Sequence, residues 1–149
     1  MATKWLTPQE MAAWRQFIET HADLITALER DLADHDMTLG DYQVLVYLSE
    51  ADDRSMRMCD LAELLQLSPS GLTRRLDGLV KTGYVSRQAS TQDRRVMKAQ
   101  LTDAGFDALR ATAPHHVASV RRHVFDRLDA EQVDAMTGIF AAIGAGLSA

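Results

Sequence analysis

Two short helical segments joined by a tight turn constrain the fold of this chain more than any other feature. The first covers about residues 59–65, and Gln66-Leu67-Ser68 forms the turn. Ser68 and Pro69 then take the N-cap and first-turn positions of the second segment, which serine and proline favour. The side chains predicted to point inward are Leu61, Ala62, Leu64 and Leu65, then Leu72, Leu76, Leu79 and Val80. This pattern predicts a helix-turn-helix unit, whose second helix can enter the major groove of DNA.

Amphipathic helices are predicted on both sides of this unit. Thr7-Pro8-Gln9-Glu10 is a capping box, and residues 38–41, 102–105 and 129–132 can begin three further helices. Apolar residues of the first helix recur at steps of three and four, which predicts one stripe of a long amphipathic helix. That stripe consists of Trp14, Ile18, His21, Ile25, Leu28 and Leu32.

A hairpin is predicted between the fourth and fifth helices. Gly83 stands in the stop position of the fourth helix. Residues 84–88 and 96–101 are strand-like and flank the polar loop 89–95, which indicates a hairpin. Residues 51–55 are predicted to form a turn. The order of four helices, a hairpin and two helices predicts a mainly α fold of the winged helix-turn-helix type.

The charge of the chain is unevenly distributed. The net charge is −5, but residues 54–98 contain nine Lys or Arg against four Asp or Glu, while residues 1–53 contain three against eleven. A basic block in an acidic chain can bind phosphate locally, and the acidic remainder limits non-specific association. The alternative is an uneven surface without a nucleic-acid partner.

The basic block places arginines at the start of the second helix of the unit and in the hairpin loop. Hydroxyls and main-chain N–H groups at a helix start suit phosphate oxygens, and arginine reads guanine or enters a narrow minor groove. An ordinary helical hairpin with a solvated arginine pair would explain the helix alone, but not the second arginine pair in the loop. The predicted DNA-binding residues are Ser68, Ser70, Gly71, Thr73, Arg74, Arg75, Asp93, Arg94 and Arg95.

The chain resembles the MarR family of bacterial regulators over nearly its whole length. The specific part is the hairpin motif Asp93-Arg94-Arg95 followed by Leu101-Thr102-Asp103-Ala104-Gly105. The supporting runs are Leu61-Ala62-Glu63-Leu64-Leu65, Ser68-Pro69-Ser70-Gly71-Leu72-Thr73-Arg74 and Gly83-Tyr84-Val85. Gly78 departs from the family pattern, in which a larger polar residue is common at that place.

The resemblance implies a single domain over residues 1–149 and a homodimer that binds a pseudo-palindromic operator, usually as a repressor. Residues of about 7–35 and 103–149 would form the dimerisation helices, and about 38–101 the DNA-binding lobe. The recognition helix would run from about Ser68 to Lys81. In the hairpin, Arg95 would probe the minor groove and Asp93 would hold an arginine, with Arg94 as an added candidate.

A small aromatic or anionic effector is a further expectation from the resemblance. His21 interrupts the apolar stripe of the first helix, so it is either a polar group in a ligand pocket or a hydrogen-bonded histidine at an interface. The candidate ligand-binding residues are Trp14, Arg15, Phe17, His21, Tyr42 and Tyr47.

Other functions are less well supported by the residues. No phosphate-binding glycine loop, nucleophile elbow or close acid–base pair is found, so an enzyme is not expected. Neither a metal nor a cofactor is expected, because His116 and His123 would lie two helical turns apart. An oxidation-responsive regulator acting through Cys59 remains an alternative, as does a winged-helix interaction module without DNA binding.

The lone cysteine and the lack of an apolar span or export signal predict a cytoplasmic protein with no membrane partner.

Overall fold

The computed structural model describes residues 1–148. The helices of this region are α1 (Pro8–Ala33), α2 (Leu39–Glu50), α3 (Met58–Leu64), α4 (Pro69–Lys81), α5 (Asp103–His123) and α6 (Ala130–Leu147). The strands are β1 (Ser55–Arg57), β2 (Val85–Ala89) and β3 (Met97–Leu101), and short 3-10 turns cover Asp52–Arg54 and Phe125–Arg127. The predicted mainly α winged helix-turn-helix fold is confirmed.

Local capping interactions explain where the helices begin. The Thr7 hydroxyl accepts a hydrogen bond from the N–H of Glu10, whose carboxylate accepts one from the N–H of Thr7. The same reciprocal box joins Thr38 to Asp41, and another stands before α6. These bonds satisfy main-chain donors that a helix start leaves unpaired, which is why the short-range signals located the helix starts well.

The three strands form one antiparallel sheet in the order β1-β3-β2. The predicted hairpin is β2–β3, with Val85 opposite Leu101 and Ala89 opposite Met97. β1 was not predicted, and its first residue, Ser55, was expected to lie in a turn. β1 has three residues and exists because Ser55 pairs with Gln100 and Arg57 with Lys98, partners far along the chain. No local alternation could predict this pairing.

The chain is divided into two compact units. One contains residues 1–30 and 116–148, and the other contains residues 31–115. The second unit therefore includes the end of α1 and the first half of α5, in addition to the predicted lobe of residues 38–101. The assignment of the two regions to dimerisation and DNA binding stays a prediction.

The core of the unit of residues 31–115 lies between its helices and the sheet. Its buried side chains include Leu32, Val44, Leu45, Leu48, Leu61, Leu72, Leu76, Leu79, Val85, Ala99 and Leu101. Leu64 was predicted to pack inward but is 49% exposed. It is the last residue of α3, and the core is instead contacted by Leu65 and Leu67, which flank the left-handed Gln66.

Candidate DNA interface

The start of α4 exposes small polar side chains and one arginine. Ser68 caps the helix by accepting a hydrogen bond from the N–H of Gly71 at 3.1 Å. Leu72, Leu76 and Leu79 are buried on the other side of the helix, as predicted. The residues left exposed at the start of α4 include Ser70, Thr73 and Arg74. Such a surface can offer donors to phosphate oxygens and an arginine to a base edge.

Arg75 is directed differently from Arg74. Its Nη1 donates to the Thr38 hydroxyl at 3.1 Å and lies 3.9 Å from a carboxylate oxygen of Asp41. A Cβ atom added at Gly40 would overlap the Arg75 guanidinium, so a larger residue here would move the end of this arginine side chain. Arg75 therefore joins α4 to the start of α2. Its contact with DNA stays a prediction, while Arg74 is the exposed member of the pair.

The loop between β2 and β3 is organised around Asp93. One of its carboxylate oxygens accepts the main-chain N–H of Arg95 at 3.0 Å and the Nε–H of the same residue at 3.3 Å. The main-chain hydrogen bond, followed by the side-chain bond, holds the pKa of Asp93 below its ordinary value. The Arg95 side chain is 92% exposed and Arg94 is exposed too. The carboxylate thus restricts Arg95 while its guanidinium stays accessible.

Arg87 is a residue of the site that sequence analysis did not find. It lies in β2 and its Nη2 donates to the Thr73 carbonyl at 2.9 Å and to an Asp77 carboxylate oxygen at 2.7 Å. Both partners belong to α4. The only signal in the sequence was weak: Arg87 stands two positions after the buried Val85 and so shares its face of the strand. Its partner Thr73 is 14 residues away, so no local pattern indicates the contact.

The start of α5 is attached to the connection between α4 and β2. The Thr102 hydroxyl donates to the Gly83 carbonyl at 2.6 Å and accepts from the N–H of Gly105 at 3.0 Å. The Thr102 N–H donates to the carbonyl of Tyr84. A Cβ atom at Gly105 would overlap that carbonyl, so the close approach of α5 requires glycine here. The Leu-Thr-x-x-Gly motif is therefore a packing motif at the base of the hairpin.

The six candidate ligand-binding residues are divided between the two compact units, four in the unit of residues 1–30 and 116–148 and two in the unit of residues 31–115. Trp14, Phe17 and His21 follow one another along α1, with neighbouring ring centroids 6.0 Å apart, and Arg15 is exposed on the same helix. Tyr42 is buried in the core of residues 31–115, where burial raises its pKa, and Tyr47 packs against that core. The role of all six in binding a ligand stays a prediction.

Two grooves lie within the unit of residues 1–30 and 116–148. The larger, of about 1060 Å³, runs between α1 and α6 and is lined mainly by apolar side chains, including Trp14, Phe17, Ile139, Phe140 and Ile143. The smaller, of about 470 Å³, adds His21, His123 and Arg127 to Phe17 and Phe140. Phe17 and Phe140 belong to both grooves, so the apolar surface is continuous.

Cys59 lies exposed in the first turn of α3. Its sulfur is 3.7 Å from a carboxylate oxygen of Asp60, which Arg57 binds at 2.8 Å. The Arg57 hydrogen bond holds the pKa of Asp60 below its ordinary value. Oxidation sensing through Cys59 stays a prediction.

Within residues 1–148, no group of three or more His, Cys, Asp or Glu side chains is placed to hold a metal ion. Over the same residues, no helix combines the length and the apolar character needed to cross a bilayer.

The α3–α4 pair, followed by an arginine-bearing hairpin, defines a winged helix-turn-helix protein of the transcription-regulator class. A MarR family model matches residues 35–96. The structure is similar to that of AbsC, a MarR family transcriptional regulator from Streptomyces coelicolor. The two share 39% identity over 98% of this chain and 99% of AbsC, with a TM-score of 0.92. The chain belongs to the MarR family.

Two further relatives extend the comparison. Sco3205, a MarR family transcriptional regulator from Streptomyces coelicolor solved in complex with DNA, shares 38% identity over 99% of this chain and 93% of its own, with a TM-score of 0.94. The repressor YetL of Bacillus subtilis is 29% identical over 93 residues, which are 62% of this chain and 56% of YetL. The match therefore spans little more than half the length of this curated relative.

Proposed function

We propose that this protein is a sequence-specific double-stranded DNA-binding transcriptional regulator that acts as a homodimer in the cytoplasm and carries out no catalysis. One observation carries the proposal. The helix that exposes Arg74 and the hairpin that exposes Arg94 and Arg95 are hydrogen-bonded to each other through Arg87. Arginines on these two elements are suited to reading a major groove and an adjacent minor groove. The DNA complex of Sco3205 supports the same function.

In vitro selection tests this proposal. The full chain is used to enrich sequences from a library of randomised DNA duplexes, and the dissociation constants for the enriched duplex and a random duplex are compared. We expect a pseudo-palindromic sequence bound at least ~1000-fold more tightly than random DNA. Arg74→Ala should relax the preference at particular bases, while Arg110→Ala, which removes an equal charge from α5, should not. Enrichment of no sequence would contradict the proposal.

The homodimer is supported by the exposed apolar face of the unit of residues 1–30 and 116–148. Trp14, Ile139 and Ile143 are 53%, 57% and 51% exposed. The apolar surface along the larger groove needs a partner, because soluble monomers rarely expose large apolar patches. A second copy is the occupant that also fits a pseudo-palindromic operator, since two-fold DNA symmetry matches two-fold protein symmetry.

We further propose that a small aromatic or anionic effector relieves repression by binding in the smaller groove. This groove combines the Arg127 guanidinium and two imidazoles with the rings of Phe17 and Phe140. A cation on an apolar wall suits an aromatic carboxylate. In a thermal-shift titration with benzoate and hydroxybenzoates, we expect a rise in Tm that Arg127→Gln reduces and Arg110→Gln leaves unchanged. An equal rise in both variants would contradict the site.

A further inference from the structure

We propose that Arg87 is a positioning residue that sets the wing, defined here as residues 85–101, relative to the recognition helix α4, and that it makes no contact with DNA phosphate. The inference rests on the proposed function, because its role is to keep two DNA-reading elements in register. Its basis is one guanidinium nitrogen shared between the Thr73 carbonyl and the Asp77 carboxylate.

The strand pattern explains why Arg87 faces α4. Side chains alternate along a strand, so Arg87 lies on the same face of the sheet as Val85, which is buried in the core that includes Leu76 and Leu79. Across the ladder, Arg87 is paired with Ala99, which is also fully buried. The Arg87 side chain is only 29% exposed. It is therefore held against the helix rather than extended into solvent.

The two acceptors lie one helical turn apart on α4. A hydrogen bond from a guanidinium to a carboxylate or carbonyl is stronger than a neutral one, and partial burial limits its screening. Arg87 binds the main-chain carbonyl of Thr73, whereas the Thr73 hydroxyl donates to the Pro69 carbonyl at 3.0 Å. The main chain of Thr73, and not its side chain, therefore holds the wing. Arg87 thus binds a rigid part of the helix.

The bond couples the two elements that carry the exposed arginines. Arg74 stands one residue after Thr73, and the loop with Arg94 and Arg95 follows β2. Sequence discrimination depends on where base-contacting groups sit, whereas general attraction to DNA depends mainly on charge. Loss of the Arg87 bond should therefore reduce discrimination more than it reduces general attraction.

Removal of the Asp77 carboxylate distinguishes a positioning role from simple electrostatics, because the two predict opposite changes in DNA affinity. A carboxylate on a helix that faces phosphate repels DNA, so its removal should tighten binding to every duplex if charge alone mattered. If Asp77 serves to hold Arg87, its removal should instead weaken binding to the operator. Asp77 is 59% exposed, so its neutral variant should fold.

The experiment uses the full chain, the duplex enriched by in vitro selection and a random duplex of equal length. Dissociation constants are measured by fluorescence anisotropy at several salt concentrations for the wild type, Arg87→Gln, Asp77→Asn and the double variant. We expect each single variant to lower the affinity ratio between the two duplexes about tenfold. The double variant should be no worse than either single one. The slope of log affinity against log salt concentration should stay within about 0.5 of the wild-type value for Arg87→Gln, whereas loss of a phosphate contact would reduce its magnitude by ~0.9.

Three results would overturn the inference. The first is a fall in salt slope of ~0.9 for Arg87→Gln with equal losses on both duplexes, which indicates a phosphate contact. The second is an unchanged affinity ratio in Arg87→Gln. The third is tighter binding of Asp77→Asn to both duplexes.

Amide hydrogen exchange without DNA separates this inference from the proposed function. The N–H of Ser90 donates to the Val96 carbonyl, and the N–H of Val96 to the Asp93 carbonyl. Arg87→Gln should speed exchange at both amides, because the wing is no longer held to α4. Unchanged exchange would overturn the positioning role even if the wild type selects an operator. If the wild type selects no operator but Arg87→Gln exchanges faster, the proposed function is overturned. The Arg87 bond would then still be shown to hold the wing against α4.

Discussion

At the scale of single residues, acidic side chains organise the arginines of the basic block. Asp93 binds Arg95, Asp77 binds Arg87, and Asp41 lies beside Arg75. Arg74, Arg94 and Arg95 are exposed to solvent. Arg75 and Arg87 instead bind other elements of the fold. We therefore expect fewer DNA contacts than the charge excess of this region suggests.

The titration of Asp93 provides a pH test at this scale. Its lowered pKa means that the loop interaction is present at neutral pH and is lost as the pH falls through that pKa, below the ordinary value of about 3.9. Carbon-13 NMR should give a midpoint for the Asp93 carboxyl below 3.9. Because the main-chain N–H of Arg95 is the larger cause, Arg95→Gln should keep most of the shift. A return to the ordinary value in Arg95→Gln would contradict this explanation.

Two glycines of the same unit should respond differently to alanine. Gly40→Ala forces the flexible end of the Arg75 side chain away from Thr38, so the lost hydrogen bond should offset the gain in helix propensity and leave the free energy of unfolding within about 0.5 kcal/mol of the wild type. Gly78→Ala adds a methyl group in open space within a helix, and it should raise this free energy by about 0.5–1 kcal/mol. Urea denaturation measures both. Equal stabilisation by the two substitutions would show that Arg75 contributes nothing through this contact.

At the scale of elements, α4 is held from three directions. Arg75 joins it to α2, Arg87 joins it to β2, and its leucines pack into the core. The base of the wing is attached in turn to α5 through Thr102. A shift of α5 can therefore be transmitted to the wing through a short series of hydrogen bonds.

Gly105→Ala tests the attachment of α5. The added methyl group meets the Tyr84 carbonyl, a main-chain group that cannot rotate away, so the helix start must move. We expect the free energy of unfolding to fall by about 1–3 kcal/mol, as for overpacked sites. Gly78→Ala serves again as the control for the effect of alanine on helix propensity. A stabilising Gly105→Ala would show that α5 does not need this close approach.

At the scale of the whole molecule, the proposed dimer depends on the apolar side of α1 and α6. Ile139→Asp places a charge in that surface and should convert the protein from dimer to monomer, measured by sedimentation equilibrium. It should also abolish high-affinity binding to the enriched duplex, because one half-site alone binds weakly. Ala141→Asp, on another side of α6, is the matched control and should remain dimeric. A dimeric Ile139→Asp variant would exclude this surface as the interface.

The sequence alone determined the helices, their starting residues, the hairpin and the exposed side of α4. These features depend on signals within a few residues, such as the Thr7–Glu10 and Thr38–Asp41 boxes and the spacing of Leu72, Leu76 and Leu79. Only the tertiary structure decided that β1 forms, that Leu64 lies outside the core and that Arg75 and Arg87 face neighbouring elements. The Arg75 and Arg87 bonds join residues 37 and 14 positions apart. The direction of a long, flexible side chain is set by whichever acceptor the folded chain brings within reach, and local sequence carries no record of that distance.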